Sequence, residues 1–299
     1  MKNRILNNVS EVSLNKAKSL ITTPVNRLST EELGSSMPQD VVTSVKQARL
    51  RNGSIETIIN VEPVDAEKGS RVYALNTVGE GLTKVGEDSL IPEINQQKIK
   101  HIKFKTSKYA GLLTASTELL NDAGEQVVDF VAQLAANETR VIRNKEVFAL
   151  LNTLSKQPLT DVDSIKTQMN TTLRRVKRKD MNIITNNDGF EYLDGLTDVA
   201  GNSLLKESET SNSGFKIFNT DVQVFDNEEL PTTEGNIPFI FGDTVEAIAL
   251  FDRESLEINL SDHSGSDFIS FKTKFRIRDY FDVQLVADDL LVFGQILKA

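Results

Sequence analysis

The chain has 299 residues, with 34 Lys or Arg and 43 Asp or Glu, which gives a formal net charge of −9. With no cysteine and two histidines, disulfides, cysteine-ligated zinc, iron–sulfur clusters, thiol nucleophiles and a three-histidine metal site are excluded. The net negative charge argues against a protein that binds specific nucleic-acid sequences. No apolar run is long enough to span a membrane, and residues 1–10 lack the apolar core of a secretory signal.

Residues 1–50 are predicted to form an extended arm. Apolar positions are scattered there, Pro24 and Pro38 interrupt any long helix, and no apolar face is sustained. Such a segment cannot bury enough surface by itself to offset its ordering entropy. We therefore expect it to be disordered or to lie against another surface.

A strand and a long hairpin are predicted next. The β-branched run at 55–64 indicates a strand. Residues 64–100 are charged and rich in glycine, and short β-type runs at 71–75 and 89–94 flank the tip. A two-stranded excursion of this kind is marginal by itself, so it should need a neighbouring surface. From 101 to 114 the side chains alternate, which predicts a further strand.

The longest helical pattern covers residues 124–153. A stripe of apolar residues runs along it at helical spacing, and a helix of this length extends roughly 45 Å. The preceding segment at 117–122 is interpreted as a separate short stretch, in which Asn121 or Asp122 caps the helix. A helix this long suits an elongated, flat subunit better than a compact domain.

The remainder of the chain mixes helices with strands. A second helix is predicted over 161–177 with Asp161 or Asp163 as its N-cap, and short strands and turns follow it. From 269 to 285 apolar and polar residues alternate over an unusually long stretch, and 290–297 adds a last apolar strand. This mixture is typical of an α/β or α+β layer.

Two short motifs resemble cofactor-binding or catalytic sequences without their required spacing. Gly79, Gly81 and Gly86 do not match a dinucleotide fingerprint, because the third glycine would have to replace Lys84 and no strand–turn–helix context surrounds them. The run of Asp, His and Ser at 262–264 contains the three residue types of a hydrolase triad. Consecutive residues cannot adopt its relay geometry, so a turn is the better interpretation.

Other polar residues are interpreted as surface features. The adjacent carboxylates Asp288 and Asp289 diverge on a regular element and seldom form an acid–base pair. His101 and His263 have no second ligand at helical spacing. We therefore predict no catalytic residue, no cofactor-binding residue and no metal ligand.

Two segments are basic, at 98–108 and at 272–278. Because aromatic residues are sparse among these cations and the whole chain is acidic, a nucleic-acid patch is disfavoured. They indicate either charged solvent faces or an edge that forms salt bridges with the acidic loop at 80–93 of another copy.

The order of these elements resembles that of the major capsid proteins of tailed double-stranded DNA phages, which have the HK97-like fold. The resemblance covers about residues 50–299 and depends on motifs that are specific only in combination. These motifs are TELLND (117–122), ITNNDGFEYLDGLTDVAGN (184–202), FGDTVEAIALFDR (241–253) and RIRDYFDVQLVADDLLVF (276–293).

The resemblance implies an α+β fold with four regions. These are an N-terminal arm at 1–50, a peripheral (P) domain with a long spine helix at 51–63, 101–158 and 267–299, an extended β-hairpin E-loop at 64–100, and a mixed α/β axial (A) domain at 159–266. Some relatives form lysine–asparagine crosslinks between subunits, and no such bond is predicted here.

The implied function is structural, not enzymatic. The chain would self-assemble as hexamers and pentamers into the icosahedral head shell of a virion, built in the host cytoplasm. The shell would enclose double-stranded DNA without sequence-specific binding and without a membrane. Implied partners are a portal and a scaffold, the latter either a separate protein or a domain that a maturation protease removes. Two alternatives stay open: an encapsulin-type compartment that loads an enzyme cargo, and a carboxylate-dependent hydrolase that uses Asp288 or Asp289.

Overall fold

The computed structural model describes much of the chain. The described residues are 45, 47–50, 53–74, 99–173, 176, 180–197, 201–208, 214–253, 256–261 and 272–297, with the backbone alone at 115–129, 260–261 and 272. They belong to two compact units, one within 1–57, 107–144 and 253–280, and the other within 58–106, 145–252 and 281–299.

The described residues form runs of strands with helices between them, and the sheets contain both parallel and antiparallel pairs, as in an α+β protein. The helices are α1 (Thr117–Leu151), α2 (Val162–Thr171), α3 (Asn187–Asp194) and α4 (Thr244–Ala247), and short 3-10 turns occupy Ile55–Thr57 and Asp288–Leu290. The strands are β1 (Asn60–Pro63), β2 (Lys68–Ala74), β3 (Ile99–Lys105), β4 (Ser107–Ser116), β5 (Lys156–Leu159), β6 (Asn182–Asn186), β7 (Lys206–Glu207), β8 (Phe215–Ile217), β9 (Thr220–Phe225), β10 (Asn236–Gly242), β11 (Ile248–Asp252), β12 (Glu257–Ser261), β13 (Lys272–Leu285) and β14 (Leu291–Leu297).

The first unit is built on α1 and the first part of β13. β12 pairs with β13 in antiparallel register, with Ile258 opposite Ile277, and β4 also pairs with β13. Ala135 and Ala136 of α1 pack in one buried cluster with both isoleucines and with Val45. Val45 and residues 47–50 are helical, so the end of the segment expected to be extended is instead folded against its own chain.

The second unit is dominated by a mixed seven-stranded sheet in the order β5-β14-β10-β6-β9-β8-β7. α2 and α3 cover this sheet, and Ile165, Met169 and Leu193 bury their side chains in its core. Both helices begin where the sequence provides a cap: Asp161 accepts a hydrogen bond from the backbone N–H of residue 164, and Asn186 accepts one from that of residue 189. Of the two caps predicted for this helix, Asp161 is the one observed, and Asp163 lies in the first turn.

A second group of strands lies in the same unit. β1 runs parallel to β11, and β11 pairs antiparallel with the last residues of β13. The hairpin β2–β3 packs against these strands through Ile102 and Phe104, which cluster with Ala249 and Phe251. The hairpin's base therefore has its supporting surface within its own chain.

Several boundaries differ from the sequence predictions. α1 begins at Thr117, so the segment at 117–122 belongs to this helix, and the predicted cap at Asn121 or Asp122 is wrong. Ile55–Thr57 is a 3-10 turn and not part of a strand, because the Ile55 N–H is bonded to a side chain, that of Asn144, and not to a neighbouring strand.

Two other predicted elements are shorter than expected. The alternating run at 101–114 is divided between β3 and β4 at Thr106, whose N–H and hydroxyl both donate to the carbonyl of Glu67. α2 ends at Thr171 and not near residue 177, because Asn170, Thr171 and Thr172 are weak helix formers. The alternation predicted for 269–285 is confirmed over part of β13: Thr273, Phe275, Ile277, Asp279 and Phe281 are buried, residues 282–285 are all half-buried, and 269–271 lie outside the described residues.

Candidate functional site

Four charged side chains form a buried network in the first unit. The guanidinium of Arg143 donates from Nε and Nη2 to the two carboxylate oxygens of Asp279, both at 2.8 Å. Its Nη1 lies 3.1 Å from Oε1 of Glu56, and Oε2 of Glu56 lies 3.0 Å from Nη2 of Arg49. All four side chains are no more than 3% exposed. Two positive and two negative charges compensate one another, which is what burial of ions requires.

The next residue of α1 holds the chain segment that carries Glu56. Oδ1 of Asn144 accepts a hydrogen bond from the Ile55 N–H at 3.0 Å, and its Nδ2 donates to the Gly53 carbonyl at 3.3 Å. Asn144 is completely buried. Consecutive residues of α1 thus fix both the side chain and the backbone of this segment.

The base of the β2–β3 hairpin is fixed by mixed contacts in the second unit. Phe104 stacks on Phe251 with ring centroids 4.5 Å apart. Lys100 donates to the Val286 carbonyl at 2.7 Å, and the Tyr73 hydroxyl donates to Glu62 at 2.6 Å. Burial, together with the hydrogen bond and charge of Glu62, raises the pKa of Tyr73 well above its usual range, so the hydroxyl remains a donor. The hairpin is therefore held rigidly at its root.

The opposite face of the hairpin is exposed and partly apolar. Alternate residues of the two strands point outward, and the register places Val72 opposite His101 and Ala74 opposite Ile99. Val72 is 60% exposed and Ile99 is 58% exposed. Lys103 continues the same face toward the base of the hairpin. This face offers a small apolar patch beside positive charges.

The first unit also exposes large apolar side chains. Leu112 on β4 is 70% exposed and Phe130 on α1 is 58% exposed. A groove of about 420 Å³ lies between these two elements, and Leu113, Leu134 and Ile142 line it. Exposed apolar patches of this kind often mark contact surfaces between proteins.

Asp288 and Asp289 line a cleft of about 940 Å³ in the second unit. Both side chains are exposed. The other residues that line the cleft supply hydroxyl, amide and apolar groups, including Thr171, Gln168 and Phe293, and none of those described is a histidine, lysine or arginine. The cleft that the hydrolase hypothesis requires is present, and the described part of its lining places no base or cation beside the two carboxylates.

A tight corner joins β10 to β11. The Asp243 carboxylate caps α4 by accepting from the Glu246 N–H at 3.0 Å. Burial, with smaller effects from Glu246 and Asp180, raises the pKa of Asp243 despite its backbone hydrogen bonds. The preceding Gly242 has a φ of 144°, and a Cβ there would overlap the Leu290 carbonyl oxygen.

The remaining predicted sites are dispersed. His101 lies exposed on β3, whereas His263 and Gly79–Gly86 lie outside the described residues. Within the described part of the chain, no three His, Asp or Glu side chains cluster in a way that would hold a metal ion. No described helix has the length and apolarity needed to cross a membrane.

Sequence reasoning did not single out Arg143, Asn144 or Glu56. The available signal was Asp279, a lone carboxylate on the core face of the predicted long strand, because a buried carboxylate calls for a cation elsewhere in the chain.

Comparisons with known proteins identify the family. The model of the phage capsid family matches residues 34–296. The capsid of an empty GTA particle aligns with a TM-score of 0.65 at 14% identity, over 82% of this chain and 90% of that chain. A chain of Mycobacterium phage Ogopogo aligns with a TM-score of 0.57 at 14% identity, over 82% of this chain and 92% of that chain. A chain of Mycobacterium phage Bobi aligns with a TM-score of 0.56 at 12% identity, over 94% of this chain and 98% of that chain.

A virus-like particle from Pyrococcus furiosus is also similar, with a TM-score of 0.51 at 10% identity over 85% of this chain and 97% of that chain. A search of curated protein sequences found no match. The family match covers most of the sequence and favours neither the encapsulin nor the hydrolase alternative. The chain therefore belongs to the phage capsid family, the shell-forming structural proteins of virions, and has the HK97-like fold.

Proposed function

We propose that this chain is a major capsid subunit that assembles as hexamers and pentamers into the icosahedral head of a tailed phage. The outward face of the β2–β3 hairpin is the observation that carries this proposal beyond family membership. Its root is fixed by the Phe104–Phe251 stack, whereas Val72 and Ile99 remain more than half exposed. A rigidly held apolar patch lowers the entropy cost of contact with a second copy.

Assembly through such patches depends more on the number of contacts that each subunit makes than on the strength of any one contact. Each patch buries little area, but a subunit in a closed shell makes contacts on several sides, and linked weak contacts sum to a stable particle. The exposed apolar residues on β4 and α1 supply further contact surface of the same kind. Positive charge at Lys103 favours an acidic neighbouring surface.

Particle formation by two hairpin variants tests the proposal. Val72→Asp places a charge in the apolar patch, whereas Val72→Leu keeps the same position apolar and leaves Lys103 untouched. We expect the first variant to reduce particle yield in electron micrographs and sedimentation by at least about tenfold, and the second to assemble nearly normally. Both should fold, because position 72 is exposed. Full assembly of the Val72→Asp subunit would refute the role of this face.

The proposal includes no catalytic role. Asp288 and Asp289 are exposed in a cleft whose described lining offers no partner suited to acid–base chemistry. If the chain were a hydrolase, Asp288→Asn and Asp289→Asn would abolish an activity that the wild-type chain shows. We expect instead that these variants still form particles and that neither they nor the wild-type hydrolyse a broad substrate panel.

The partners of the family complete the proposal: a scaffold, a portal and double-stranded DNA, with assembly in the host cytoplasm. An acidic chain with a net charge of −9 suits a container whose lining does not grip DNA. Co-expression with each neighbouring gene product tests this part. Recovery of DNA-filled heads with a portal supports it, whereas particles that load only an enzyme would indicate an encapsulin-type compartment.

A further inference from the structure

A histidine lies beside the two exposed apolar side chains of the β2–β3 hairpin. The register places His101 directly opposite Val72, and Ile99 is the neighbour of His101 on the same face of β3. All three residues are exposed. Directly opposite side chains have Cβ atoms about 5 Å apart, and alternate residues of one strand lie roughly 7 Å apart. A partner surface that covers Val72 and Ile99 must therefore cover the imidazole of His101 as well.

The other charged groups on this outward face of the hairpin are lysines. Lys103 is the next outward residue of β3, and Lys105 follows it opposite Lys68 at the base. Neither strand contains an aspartate or a glutamate. Among these outward residues, His101 is the one whose charge changes near neutral pH, because lysines stay protonated there.

The remaining charged groups that contact the hairpin do so from its inward face or its base. Arg71 lies 3.5 Å from Glu62, and Lys100 donates to the Val286 carbonyl. Asp282 accepts a hydrogen bond from a backbone N–H at the base of the hairpin, that of residue 105. These groups support the root of the hairpin and leave the imidazole on the opposite face.

We propose that His101 makes the contact between copies sensitive to pH, an inference that rests on the proposed assembly through this face. The contact forms with a neutral imidazole and weakens when the imidazole takes up a proton. A charge that is covered together with apolar side chains loses its hydration, which costs free energy. The neighbouring positive charge of Lys103 adds repulsion to this cost.

The number of copies in a shell would make the response steep. Every subunit carries the same hairpin, so protonation weakens the same contact throughout the particle. Small changes at linked contacts add together, just as small contact energies do. A modest effect at one hairpin thus becomes a large change in the yield of particles.

Particle yield of the full-length chain at two pH values tests the proposal. At constant ionic strength, sedimentation and electron microscopy should show at least about fivefold fewer wild-type particles at about pH 6.0 than at about pH 7.5. His101→Gln is neutral at both pH values and should give nearly equal yields. His101→Lys is charged at both and should assemble poorly at both. Each variant should fold, because position 101 is exposed.

The chain contains one other histidine, His263, which supplies the matched control. His263→Gln should keep the wild-type ratio of yields at the two pH values. An equal loss of particles at the lower pH in the wild-type chain and in His101→Gln would overturn the inference, while particles at the higher pH would still support the proposed function. A wild-type yield that rises at the lower pH would overturn it too, since a carboxylate would then face the imidazole. A chain that forms no particles at either pH would contradict the proposed function and the inference together.

Discussion

Replacement of Arg143 by methionine should be among the most damaging single changes in the first unit. The side chain is 1% exposed and donates charged hydrogen bonds to both carboxylate oxygens of Asp279 and to Glu56. Methionine fills a similar volume but leaves Asp279 buried with no cation, because its remaining hydrogen bond comes from the Tyr280 N–H. Glu56 keeps Arg49, so the cost falls mainly on one carboxylate.

A buried ion left without its partner costs about 3–5 kcal/mol, so Arg143→Met should lower the free energy of unfolding by that amount. Guanidinium denaturation followed by circular dichroism measures this change. Lys145→Met is the matched control, since Lys145 lies two residues further along α1 and is exposed. It should cost no more than about 1 kcal/mol.

The double variant Arg143→Met, Asp279→Leu isolates the electrostatic cause. It removes both members of the tightest pair and leaves Arg49 with Glu56, so no buried charge lacks a partner. It should recover most of the loss and lie within about 2 kcal/mol of the wild-type chain. A double variant as unstable as the sum of the two single variants would show that packing, and not charge compensation, explains the effect.

Three further changes test other parts of the structure. Asp243→Asn keeps the α4 cap but removes a carboxyl whose folded pKa is raised; it should increase the free energy of unfolding at pH 7, and the difference should vanish below about pH 3.9, where the carboxyl is protonated in both states. Gly242→Ala should cost at least about 2 kcal/mol by thermal denaturation, because φ is 144° and the new Cβ meets the Leu290 carbonyl. Phe104→Ala removes the ring stacked on Phe251 and should cost about 3–5 kcal/mol by the same measurement.

Elements with a strong period could be predicted from the sequence. The alternation along β13 gave both its existence and its buried face, and the helical stripe gave α1. The residues at which helices and strands begin and end were harder to predict. The first residues of α1 looked like a separate segment, since the apolar stripe of the helix begins only at Val127 and a periodic pattern does not fix where a helix begins.

The buried ions were harder to predict because pattern reasoning sorts residues by polarity. Arg143 and Asn144 lie on α1 among charged neighbours such as Lys145, which is exposed, so nothing local distinguishes inward from outward polar side chains. Their burial depends on Glu56 and Asp279, which are far away in sequence and come together only in the folded unit. Long-range charge compensation is a tertiary property that a periodic pattern does not contain.

Part of α1 differs from a simple amphipathic helix, because an apolar side chain is exposed there and a charged side chain is buried. Phe130 is 58% exposed, whereas Arg143 is 1% exposed. At 100° per residue these two side chains point about 140° apart around the helix axis. A rotation of α1 that buried Phe130 would turn Arg143 toward solvent and separate it from Asp279 and Glu56.

The ion network therefore fixes the rotation of the helix as well as its position. Apolar contacts alone would favour a rotation that hides Phe130, since hydrophobic burial has no directional preference. Charged hydrogen bonds from a guanidinium do have a directional preference, and the bidentate pair of Arg143 with Asp279 tolerates little rotation of the helix. The proposed contact surface requires apolar side chains to stay exposed, and the directional hydrogen bonds of Arg143 oppose a rotation of α1 that would bury Phe130. The exposed Phe130 and the buried Arg143 are thus two consequences of the same arrangement.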